Sequence, residues 1–100
     1  MEREKKDGKA VVSNNLFLLE QSKLIACLHE LCEAKNLYEG VFSNYEHGYI
    51  RIAAFTYQHE KPEAIFFCDL YLLSKKFHNH RTGERGSYTD VKTFVKSLFI

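Results

Sequence analysis

Asp69 stands inside the apolar run Phe66-Phe67-Cys68-Asp69-Leu70-Tyr71. A carboxylate in such surroundings is costly to bury alone, so it is either a perturbed acid in a site or half of an ion pair. The chain supplies a partner. If residues 58–62 close a hairpin, facing positions sum to about 120, which puts Arg51 opposite Asp69 with both side chains on one sheet face. Arg51 and Asp69 are therefore expected as a structural cross-strand pair on the solvent side.

The next candidates are His78 and His80, which flank Asn79 and point the same way if the segment is extended. Joined to Asp69 or Cys68 they have the atoms to hold a metal or to move a proton. Zinc sites, however, use three or four protein ligands at recognisable spacings, and neither C-x-x-C nor H-E-x-x-H is present. No metal site is expected. Nor is there a G-x-S-x-G elbow or a phosphate-binding glycine loop, and Gly83 and Gly86 in TGERG match no nucleotide pattern. No catalytic residue is assigned, no enzyme is expected and no cofactor is implied. A small hydrolase or nuclease using Asp69, His78 and His80 is the least favoured of three functional readings.

The charge is partitioned. Lys75–Ile100 carries six Lys/Arg against two acids, whereas Ala10–Ser74 carries four against eight, within a chain of net charge +1. Lys75, Lys76, His78, His80, Arg81, Arg85, Lys92 and Lys96 are the candidate contacts for an anionic partner. Phe77 and Tyr88 interleave with them, and exposed Tyr45, Tyr49 or Tyr57 could stack on bases. The plainer account is that Lys92 and Lys96 solvate the outer side of a helix and that the arginines and glycines serve turns.

The elements that must position these residues follow from periodicity. Leu24, Cys27, Leu28, Leu31 and Cys32 recur at helical spacing, predicting a helix over Leu18–Leu37 that stops at Asn36. Val41–Tyr45 and Tyr49–Tyr57 read as strands around the turn Glu46-His47-Gly48. Ala64–Leu73 reads as a central strand, either covered on both faces or covered on one and bounded by aromatics, and Pro62 marks the connection before it. Ser87 and Asp90 form a start signal for a last helix whose stripe is Val91, Phe94, Val95 and Leu98. The expected fold is α+β, in the order helix, three-stranded antiparallel sheet, helix, with both helices on one sheet face. Residues 1–12 read as a disordered or loosely ordered tail, and 13–100 as a single domain.

The 100 residues are 45% hydrophobic and 14% aromatic, which excludes disorder for most of the chain. Cys27, Cys32 and Cys68 are odd in number and sit in apolar runs, as buried reduced thiols do. No run reaches membrane-spanning length, so a cytoplasmic protein with no membrane partner is expected. The favoured reading is a small non-catalytic protein-interaction module (an adaptor, inhibitor or accessory subunit) whose partner is another protein or a second copy. The alternative is a nucleic-acid-binding protein using the basic C-terminal loop and helix.

Overall fold

The stripe Leu24, Cys27, Leu28 and Cys32 is buried along one side of helix α1, which spans Glu2–Lys35. In this computed structural model the backbone is described for residues 2–58 and 60–99, and the side chains for 15–57 and 60–99. Helix α1 thus begins earlier than the expected Leu18. The tail expected over residues 1–12 lies outside the described side chains. Asn36 ends the helix in a left-handed conformation, φ 57°, while Leu37 N–H returns to Cys32 O at 2.8 Å.

Five strands follow, not three: β1 (Tyr38–Asn44), β2 (Tyr49–Gln58), β3 (Lys61–Tyr71), β4 (Lys76–Asn79) and β5 (Arg85–Ser87), before helix α2 (Val91–Leu98). They form one antiparallel sheet in chain order, so every neighbour is joined by a short connection. The two additional strands are four and three residues long. Neither is long enough to show alternation in a stretch dominated by turn residues.

Two further expectations are corrected. Pro62 lies within β3, opposite Tyr57, and not in the connection. Proline is tolerated there because β4 joins β3 only from Cys68 onward, leaving the first half of β3 as an edge. The last helix starts from Asp90, whose carboxylate accepts from Thr93 N–H at 2.9 Å, while Ser87 ends β5.

The sheet divides its side chains cleanly. Ile50, Ile52 and Ala54 of β2 and Phe66, Cys68 and Leu70 of β3 are buried with Leu24, Leu28 and Cys32 of α1 and with Val91 and Val95 of α2. Both helices therefore cover the same face. Burying each large aliphatic side chain of this core contributes roughly 1.5–3 kcal/mol. The alternate residues, Tyr49, Arg51, Phe67, Asp69 and Tyr71, occupy the other face, over which no helix packs among the described residues. The central strand is covered on one side only. It reads as continuously apolar because its open side carries aromatic rings.

Candidate binding face of the sheet

The strand register lays one row across all five strands: Phe42, Arg51, Asp69, His78, Arg85. Arg51 Nε donates to Asp69 Oδ1 at 2.7 Å and Nη2 donates to Oδ2 at 3.0 Å. His80 continues past the end of β4, where its backbone N–H bonds Phe67 O, and its Nε2 lies 2.8 Å from Asp69 Oδ2. Asp69 is only 4% exposed, yet both of its oxygens are engaged by charged or chargeable donors. Burial is the strongest influence on this carboxyl and pushes its pKa up. The hydrogen bonds from Arg51 and His80 together outweigh it, so the group is held below its ordinary value and stays ionised.

The rings around this pair are arranged by the same alternation. The Arg51 guanidinium lies over Phe67, 5.2 Å from its centroid, and 5.7 Å from that of Tyr49. Tyr49 and Tyr71 face one another across β2 and β3 with centroids 5.4 Å apart. His80 meets Phe67 edge-on at 5.3 Å and lies against His78 at 4.2 Å. Partial desolvation, followed by repulsion from Arg85 and His80, lowers the pKa of His78 and favours its neutral ring. At one border of the face Phe42 is 58% exposed, and Tyr38 packs edge-on against Tyr57 at 4.8 Å. Gly40 belongs to this surface for a packing reason. A Cβ there would come within 3.3 Å of the Phe55 ring, which lies over it.

The fold separates the eight residues singled out for an anionic partner. Lys76, His78, His80 and Arg85 come together at the β4–β5 end of the open face, since Lys76 pairs with Tyr71 and His78 with Asp69 and Arg85. Lys92 and Lys96 lie on α2, against the opposite face, where they border a cleft beside Cys27 and Glu30. Lys75 takes a left-handed turn conformation, φ 56°, and its Nζ donates to Thr89 O at 3.2 Å. Arg81 is turned inward. Its Nη1 donates to the carbonyls of Ala64 and Ile65, capping the stretch of β3 that β4 does not reach.

The three thiols are buried and unpaired, and burial pushes Cys32 up to about 11 and Cys68 to about 12. Among the described residues no cluster of three His, Cys, Asp or Glu is placed to hold a metal ion, and no helix is long and apolar enough to cross a membrane. The paired strands bring a single acid, Asp69, to the open face. Its charge is met by Arg51, and among the described residues Lys76 and Arg85 have no acidic partner.

Phe42, Phe67 and Tyr71 belong to this face although the sequence reading did not select them. The signal was present, because Phe67 and Tyr71 share the parity of Asp69 and Phe42 pairs with Arg51. No protein-family model matches the chain, and no curated protein or solved structure is significantly similar to it. The functional reading therefore rests on the geometry of this surface.

Proposed function

We propose that the open sheet face binds single-stranded nucleic acid. One observation carries the reading: a five-stranded platform presents partly exposed aromatic rings beside cations, while the one acid on it among the described residues is buried and paired. Bases stack on Tyr49, Tyr71 and Phe42, a contact that tolerates any base because each has a π-face. Phosphates lie against Arg85 and Lys76, with His78 adding a hydrogen-bond donor. A duplex keeps the faces of its bases stacked inside and would leave the rings unused. Compared with the basic loop and helix expected from composition, the surface is smaller in charge and richer in aromatic area.

The test is fluorescence anisotropy with single-stranded and duplex 12-nucleotide probes at 50 and 200 mM salt. The single strand is expected to bind more tightly. With the two cationic phosphate contacts, Lys76 and Arg85, its affinity should fall about 7-fold between the two salts. Arg85→Glu and the double change Tyr49→Ala, Tyr71→Ala should each weaken it. Equal binding of duplex, or a salt-independent affinity, rejects the reading.

A second reading, association with another protein, is supported by β1. This edge strand is seven residues long and exposes Tyr38, Val41 and Phe42. An interaction module was the function favoured by composition, and the open edge is the feature that suits it.

A further inference from the structure

The two edges of the sheet are unlike. β5 is three residues long and carries Arg85, so it offers a short, charged border. β1 is seven residues long (Tyr-Glu-Gly-Val-Phe-Ser-Asn) and contains no proline, lysine or arginine. Its pairing with β2 runs without a register shift from Tyr38 to Asn44. Short length, lysine, proline and bulges are the devices by which proteins keep sheet edges from pairing, and β1 has none of them. Its only charge, Glu39, points to the helix side and is already held by the imidazole of His29. Helix α1 reaches β1 through the side chains of Glu39 and Ser43, the latter donating to Gln21 at 2.7 Å. Among the described residues, no hydrogen bond outside the β1–β2 ladder engages the backbone of β1.

We infer that β1 is a self-association edge, on which two copies of the chain pair antiparallel about a two-fold axis through Val41. This rests on the protein-association reading above and not on nucleic-acid binding. Three features select the partner and the register. A strand adding to its own copy around Val41 pairs all seven residues, whereas any other centre leaves some unpaired. That register sets Glu39 opposite Ser43, avoiding the like-charge contact that a centre at Glu39 would create. It also sets Phe42 opposite Gly40 of the second copy, where Phe42 meets the half-buried ring of Phe55 and no Cβ intrudes. The contact is isologous, so it closes at a dimer. The product is a continuous ten-stranded sheet, twice the five strands of one copy, with both open faces on the same side.

The experiment combines sedimentation with crosslinking. The wild-type chain is expected to show a concentration-dependent monomer–dimer equilibrium, and Val41→Lys, which restores an edge guard, to be monomeric with unchanged circular dichroism. Val41→Cys should form a disulfide-linked dimer under mild oxidation much faster than Lys92→Cys, the native thiols being buried. A wild-type chain that stays monomeric at several hundred micromolar, a dimer that survives Val41→Lys, or equal crosslinking of the two cysteine variants overturns the proposal. Adding a synthetic peptide of the Tyr38–Asn44 sequence separates the two levels of the argument. A monomer whose β1 amide signals shift on adding the peptide loses the dimer and keeps the edge as a protein contact. A monomer that ignores the peptide loses both.

Discussion

Arg51 holds Asp69 with two parallel hydrogen bonds across β2 and β3, one to each carboxylate oxygen. Arg51 is itself 35% exposed, so the pair joins a buried acid to a cation in contact with water. Removing the arginine leaves the carboxylate with the His80 ring as its remaining side-chain hydrogen-bond partner among the described residues. Breaking a fully buried pair costs about 3–5 kcal/mol, and the screening available to Arg51 puts Arg51→Ala below that, at roughly 2 kcal/mol. Arg51→Met combined with Asp69→Leu should cost less than Arg51→Ala alone, since no charge is stranded. Urea unfolding at pH 7 measures both. An Arg51→Ala variant as stable as the wild type shows that the pair contributes nothing.

The same pair sets the acid side of the stability profile. Asp69 is held below its ordinary value of 3.8, so the unfolded chain takes up its proton first as pH falls. Its contribution is complete above that value and is lost as pH drops through the lower folded one. Comparing unfolding of wild type and Asp69→Asn between pH 7 and pH 2 should show the difference shrinking toward acid. A difference that stays constant contradicts the assignment.

His29 and Glu39 give the opposite sign. The hydrogen bond to Glu39, with the attraction of its charge, raises the pKa of His29 above 6.5. A raised histidine stabilises the fold below its unfolded value, and that stabilisation disappears as pH rises through the folded one. His29→Ala should therefore lower the melting temperature at pH 5.5 and leave it nearly unchanged at pH 9. Equal losses at both pH values would mean that the residue acts through packing alone.

Asp90 is the cap of α2, accepting from both the backbone N–H and the hydroxyl of Thr93. Asp90→Ala should lower stability measurably, as the loss of such a cap does. The helix is eight residues long and is held by Val91 and Val95, so the loss should appear in global unfolding as well as in local exchange. Asp90→Asn should recover most of it. Failure of asparagine to do so would assign the effect to charge and not to capping.

Cys27, Cys32 and Cys68 lie in the core, and burial raises the pKa of each. An alkylating reagent at pH 7.5 should leave the native chain unmodified and label all three sites once it is unfolded in guanidinium. Rapid labelling of Cys68 in the native state would be incompatible with its burial in β3.

Local chemistry alone was enough for several elements. The helical recurrence of Leu24, Leu28 and Cys32, the stop at Asn36, the turn after Asn44 and the stripe Val91–Val95 each depend on residues within a few positions of one another. The register facing Arg51 with Asp69 was only approximately legible, because the pairs beside the hairpin connection are one residue off that register and a β-bulge between Ala54 and Phe55 restores it. β4 and β5 were not legible, since three or four residues carry too little periodicity to stand out from turn chemistry.

The candidate site lay beyond the reach of the sequence for a related reason. Alternation assigns Phe67, Asp69 and Tyr71 to one side of β3, and the charged pair marks it as the solvent side, but nothing local places the basic segment relative to that face. That depends on where α1 and α2 dock, a contact between parts of the chain far apart in sequence. The docking divided the basic segment, sending Lys92 and Lys96 to one side of the sheet and His78 and Arg85 to the other. Composition and spacing determined a helix, a hairpin-built sheet and an ion pair. Only the tertiary structure decided which basic residues share the open face, because that is settled by the packing of whole elements and not by any one of them.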